Sequence, residues 1–99
     1  RRGIKLAIVK LFSILRSDTK GKKEINIDAN TIQEIIDKLE SMFGPELRNK
    51  ILDKNTGDVR RFISVFINGV NIRTLKGLSS EVKDNDEITF LPAVGGGKY

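Results

Sequence analysis

The sequence predicts an α+β roll, a mixed β-sheet with one main helix packed on one of its faces. Three observations carry that prediction. Ile32, Ile35, Ile36, Leu39 and then Met42 or Phe43 recur at helical spacing and form a single apolar stripe, the pattern of an amphipathic helix. Runs rich in β-branched and aromatic residues lie on either side of it, two before and three after. Between two of the later runs stands Asn68-Gly69, whose residues tolerate the positive φ that a type I′ hairpin turn demands. A hairpin, a helical crossover and later strands returning to the same sheet give a mixed arrangement.

Taken in order, Ile4 to Leu15 reads as a long first strand. Its alternation is imperfect at Ala7-Ile8-Val9 and Leu11-Phe12, which implies cover on both faces for part of its length, or a bulge. Asp18-Thr19-Lys20-Gly21 supplies turn formers, and Glu24 to Asp28 then alternates polar and apolar as a second strand. Asn30 or Thr31 can cap the helix, because Gln33 and Glu34 stand three residues after each and complete a capping box. Glu34 and Lys38 are spaced for an i,i+4 ion pair, and Gly44-Pro45 stops the helix. Glu46 to Leu52 can form a second short helical turn before the loop from Asp53 to Asp58. Phe62 to Ile67 reads as a strand near the sheet centre, paired through Asn68-Gly69 with Val70 to Ile72. After a turn at Asp84-Asn85-Asp86, Glu87 to Leu91 forms the last strand, and Pro92 helps end its pairing. This order matches a β-grasp, ubiquitin-like domain over residues 1–94, followed by a flexible glycine-rich tail at 95–99.

Composition narrows the function. The 99 residues contain no cysteine and no histidine, which removes disulfides, thiolate and imidazole metal ligands, the Cys nucleophile and the usual general base. An enzyme in its own right is therefore not expected, and neither a metal nor a resident cofactor is. No apolar run approaches the roughly 20 residues of a membrane span, so a soluble, cytoplasmic protein is the expectation. The net charge of +5 is unevenly spread: eight basic residues stand against Asp18 alone up to Lys23, and ten against twelve acidic residues thereafter. A basic edge attracts acidic proteins or RNA. With no RNP-like aromatic pattern, Cys/His finger or recognition helix beside those charges, a solvated basic surface is the simpler reading, and nucleic acid is not the expected partner.

Several segments resemble the MoaD/ThiS-type sulfur carriers, a β-grasp family. They are Phe12-Ser13-Ile14-Leu15-Arg16, Phe66-Ile67-Asn68-Gly69, Asp86-Glu87-Ile88 and Leu91-Pro92-Ala93-Val94 before the glycines. Within the family, Ile14-Leu15-Arg16, Arg61-Phe62 and Leu91 to Val94 are most similar to the mycobacterial carriers of cysteine synthesis, with archaeal small modifier proteins also close. The resemblance implies that a MoeB/ThiF-type adenylyltransferase uses ATP to activate a terminal glycine carboxylate, here that of Gly97. A sulfur donor then converts the adenylate into a thiocarboxylate. Val94, Gly95 and Gly96 would thread into the partner, since a tail without Cβ atoms passes a narrow channel. Phe66, Leu91, Pro92 and Ala93 would form the docking surface. The acceptor would be an enzyme such as a cysteine synthase or the molybdopterin synthase large subunit, with thiamine and tRNA thiolation as other destinations.

The chain departs from the family in having Gly95 where Ala is usual, and in continuing past Gly97 with Lys98-Tyr99. An internal Gly97–Lys98 peptide bond offers no carboxylate, so either a protease trims the dipeptide or the dipeptide is a foreign addition, and a precursor matured by a protease is the expectation. Two alternatives stay open: a modifier that joins the same glycine to target lysines, and a binding module with an inert tail. Asp84 with Asp86, and Thr56-Gly57-Asp58, are explained by turns and not by catalytic or phosphate sites.

Overall fold

Alternation of buried and exposed side chains along its strands decides how this chain folds, and the computed structural model describes it over residues 6–93. The strands are β1 (Leu6–Leu11), β2 (Glu24–Asp28), β3 (Ile63–Ile67), β4 (Val70–Asn71) and β5 (Glu87–Pro92). They form one sheet in the order β2-β1-β5-β3-β4, in which β1 and β5 run parallel and the other neighbours antiparallel. Two helices, α1 (Ile32–Phe43) and α2 (Pro45–Ile51), join β2 to β3. The stripe Ile32, Ile35, Ile36 and Leu39 of α1 is buried against Ala7, Val9 and Leu11 of β1, Ile63 and Val65 of β3 and Ile88 and Phe90 of β5, in one apolar core. The predicted roll is the observed architecture.

Local chemistry sets the boundaries of α1. The Thr31 hydroxyl accepts from the Glu34 backbone N–H at 3.2 Å, and the Glu34 carboxylate accepts from the Asn30 N–H at 2.8 Å. Of the two candidate caps, Thr31 is the one used. Thr31→Ala is expected to lower stability by about 1 kcal/mol in urea titration, because a backbone donor of the first turn loses its partner. Gly44, at φ 97°, ends α1, and Pro45 opens α2 at a position where a missing N–H costs nothing. The expected Glu34–Lys38 pair gives way to other bonds, since Glu34 is engaged at Asn30 while the Lys38 ammonium donates to the Asp28 carbonyl. Arg48 joins the helices by reaching Asp37 at 2.8 Å and Glu40 at 3.3 Å.

The first strand is shorter than the sequence suggests. β1 stops at Leu11, Ser13 takes φ 58°, and Ser13–Thr19 coils as a 3-10 segment instead of continuing extended. Tertiary contacts stabilise that coil. The Arg16 guanidinium donates to the Leu11 carbonyl at 3.0 Å, Leu15 is buried in the core, and Lys50 of α2 pairs with Asp18 at 2.7 Å. The expected turn formers still close the connection, with Lys20 and Gly21 at φ 57° and 81°. The doubled apolar pairs need no bulge: Ala7, Val9 and Leu11 face the core, while Ile8 and Phe12 lie on the outer face.

The hairpin turn is as predicted, with Asn68 and Gly69 at φ 50° and 85° between β3 and β4, but β4 ends at Asn71, and Ile72, expected to pair, opens a 3-10 turn that buries it. The Asp84 carboxylate accepts from the Leu6 N–H, and Asp86 accepts from the Lys83 N–H and the Asn68 amide. Both carboxylates therefore serve the turn.

Candidate functional site

Because side chains alternate along a strand, β5 divides its residues between two roles. Ile88, Phe90 and Pro92 are buried, whereas Leu91 and Ala93 are exposed on the opposite, outer face. Registry then fixes their neighbours. Leu91 lies opposite Ser64 of β3, and Thr89 opposite Phe66. On the other side, Leu11 is level with Phe90 and the Phe12 N–H donates to the Phe90 carbonyl, which brings Phe12, still extended at φ −120°, beside Leu91. Past the end of β3, the Ala93 N–H donates to the Phe62 carbonyl at 2.7 Å.

The outer face thus holds an apolar patch made by three strands near the end of β5. Phe12 is 36 % exposed, Phe62 50 % and Leu91 38 %, with Phe66 half-buried between them and the hairpin. Exposed apolar groups gathered in one place mark contact surfaces more often than isolated ones do. Of the expected docking residues, Phe66, Leu91 and Ala93 share this face. Pro92 is turned into the core, where it closes the pairing with Ile63 and holds the chain's direction at the strand end.

Phe12 and Phe62 belong to the patch and were not among the expected docking residues. Strand parity was the available signal for Phe12, which continues the face of Ile8 and Lys10, whereas Phe62 lies in the turn before β3 and adjoins the patch through its carbonyl, which accepts from Ala93. Arg16 lies over the Phe12 ring, its guanidinium carbon 5.6 Å from the centroid, and fixes that ring at the patch margin.

The final described residue, Ala93, is at the foot of this patch. Val94, Gly95, Gly96 and Gly97, the expected threading and sulfur-carrying residues, lie outside the described residues together with Lys98, Tyr99 and the expected domain boundary. Among the described residues no group of histidine, cysteine or carboxylate side chains could hold a metal ion. No described helix is long and apolar enough to cross a membrane. The described part of the site is therefore a contact face at the end of β5.

Comparison with known proteins agrees with this arrangement. The family model described as ThiS family matches residues 9–97, a match that ends on Gly97. An Archaeoglobus fulgidus protein described as a sulfur carrier is 40 % identical over 81 residues, covering 82 % of this chain and 90 % of its own. The sulfur carrier protein CysO of Mycobacterium tuberculosis is 31 % identical over 90 residues, covering 90 % and 96 %. Among solved structures, a chain of the Amycolatopsis orientalis BexX/CysO complex superposes with a TM-score of 0.80 at 37 % identity, covering 92 % of this chain and 99 % of that one. Small archaeal modifier protein 1 of Methanosarcina acetivorans superposes with a TM-score of 0.81 at 33 % identity, covering 97 % and 100 %. A fold whose last strand ends beside an apolar face, and a family match that runs on to the third glycine, lead to one conclusion: the chain belongs to the ThiS family.

Proposed function

We propose that this protein is a cytoplasmic ubiquitin-like sulfur carrier whose Gly97 carboxylate, freed by removal of Lys98-Tyr99, carries sulfur as a thiocarboxylate. The observation that carries the reading is the family match through Gly97, joined to a rigid β5 that ends at the margin of an apolar contact face. In the implied reaction a carboxylate oxygen attacks the α-phosphorus of ATP and releases pyrophosphate. A sulfur nucleophile then displaces AMP from the acyl carbon. A MoeB/ThiF-type adenylyltransferase supplies the catalytic groups, and this chain supplies a docking surface and a slender end. Partner binding thereby bears the entropic cost of bringing the glycine to the nucleotide. Phe66, Leu91 and Ala93, joined by Phe12 and Phe62, make the docking surface, and Val94, Gly95 and Gly96 thread into the activating enzyme.

Similarity to CysO of Mycobacterium tuberculosis supports cysteine synthesis as the destination, with a cysteine synthase as acceptor; the molybdopterin synthase large subunit is the other acceptor of matching chemistry. Similarity to small archaeal modifier protein 1 favours a second reading, in which the same activated glycine forms isopeptide bonds with lysines of target proteins. Mass spectrometry of the protein recovered from its native cells separates the two. A terminus at Gly97 with one oxygen replaced by sulfur is expected of the carrier, and Gly97 linked to lysine of the modifier. Recovery of every molecule with an intact Tyr99 end would defeat both.

A further inference from the structure

The described basic residues that look like an N-terminal feature of the sequence meet, in the fold, at the pole where β5 ends. β1 and β5 run parallel, so the end of β1, the Lys20 to Lys23 turn and the end of β5 lie together. Arg16, Lys20, Lys22 and Lys23 collect there, and Arg61 joins them from the far side of the apolar patch, next to Phe62. Lys10, Phe12, Arg16, Lys23 and Glu24 line one shallow hollow at the patch margin. The carboxylates nearby are few. Asp18 is paired with Lys50 at 2.7 Å; Glu24 is the exposed carboxylate of this group, level with Lys10 in the register, while the Lys10 ammonium itself reaches Glu87 at 3.4 Å. Near Arg61, Asp53 accepts backbone N–H groups of Asn55 and Thr56, and Asp58 accepts that of Val59, so both are turned into their own loop. At the opposite pole the balance among the described residues reverses, with Glu81, Asp84 and Asp86, and Glu87 paired to Lys10, against Lys76 and Lys83.

We infer that this charge separation selects and orients the activating partner, which must present an apolar depression rimmed by carboxylates. The inference rests on the carrier reading above. An apolar patch with Arg16, Lys20, Lys22 and Lys23 on one side and Arg61 on the other is complementary to such a surface, and a surface basic at this end and acidic among the described residues of the other turns the end of β5 toward an acidic target. Charges of this kind act chiefly on the rate of encounter, raising it about ten- to a thousandfold, and salt suppresses the effect. A protein surface fits better than a nucleic acid, because the aliphatic Leu91 stands among the rings of the patch and Ala93, the last described residue, lies at its foot.

The test uses the chain ending at Gly97, the adenylyltransferase encoded in the same genome, and ATP, with pyrophosphate exchange as the readout. Lys22→Glu with Lys23→Glu is compared with Lys76→Glu with Lys83→Glu, an equal change in net charge at the other pole; thermal melting verifies that both fold. Measurements are made at about 0.01 M and about 1 M ionic strength, where the Debye length is about 30 Å and about 3 Å. The tail-pole pair is expected to lose on the order of tenfold in kcat/KM at low salt with kcat unchanged, and to match the unsubstituted chain at high salt. The opposite-pole pair should remain within about twofold. Equal losses from both pairs, a salt-independent loss, or faster exchange after tail-pole reversal would overturn the inference while leaving the carrier reading standing. Failure of the unsubstituted chain to exchange at all would remove both. Loss of single-stranded RNA binding in the tail-pole pair, with exchange unaltered, would reassign the cations to nucleic acid.

Discussion

A chain that retains Lys98 and Tyr99 is expected to give no acyl-adenylate at Gly97, while the same chain ending at Gly97 is adenylated. The difference is chemical and all-or-none. At an internal Gly97–Lys98 bond the carbonyl belongs to an amide, which has no ionised oxygen free to attack the α-phosphorus of ATP; only a terminal carboxylate has one. Incubating each form with ATP and the adenylyltransferase, and following pyrophosphate release with the mass of the C-terminus, reads the difference directly. Gly96→Val in the trimmed chain adds a branched side chain one residue before the reacting carbon. Such a residue disfavours positive φ and widens the tail, so a loss on the order of a hundredfold in adenylation is expected, the scale attached to displacing a reacting group by about 1 Å. Equal adenylation of the untrimmed chain, or an indifferent Gly96→Val, would mean that Gly97 is not the reacting residue.

What could be read from the residues alone was what local chemistry determines. The α1 stripe, its Thr31 cap, its Gly44-Pro45 stop and the Asn68-Gly69 hairpin each need only near neighbours in sequence, and all appear as expected. The end of β1 is of another kind. Ile14 and Leu15 continue an apolar run, so composition favours more strand; what breaks it is the burial of Leu15 and the hold that Lys50 takes on Asp18 and Ser17 from a distant helix. Sequence periodicity carries no information about such contacts. The docking face was legible in Leu91 and Ala93, which adjoin the glycines, and in Phe66, but not in its other members. Placing Phe12 there requires the parallel β1–β5 register, and placing Phe62 requires knowing that β3 pairs with β5 and not with β1. The charged pole was hidden for the same reason: a count along the chain assigns the cations to the N-terminal hairpin, whereas the sheet brings the turn of that hairpin beside the end of β5.

Substitution of two adjacent residues, Phe90 and Leu91, should separate the scaffold from the contact it presents. Phe90 has no solvent exposure and lies in the central strand, level with Leu11 of β1 and Val65 of β3. Phe90→Ala removes a ring from a close-packed core and leaves a cavity, so a loss of about 3–5 kcal/mol is expected. Against the roughly 5–15 kcal/mol that stabilises a domain of this kind, such a loss leaves a large unfolded fraction on mild warming. Urea or thermal unfolding measures it, and adenylation should fall in proportion to the folded population. Leu91 points the other way, 38 % exposed, and Leu91→Asp should change stability by about 1 kcal/mol or less, the range of strand propensities. Its effect should fall instead on the partner. A charge placed at the centre of the apolar patch costs a contact worth about 2 kcal/mol or more, or roughly thirtyfold in KM for the carrier, with the fold intact. If Leu91→Asp unfolded the chain while Phe90→Ala left it stable, the assignment of faces along β5 would be reversed. If both chains folded and both were adenylated with the original KM, the outer face would not be where the activating enzyme docks.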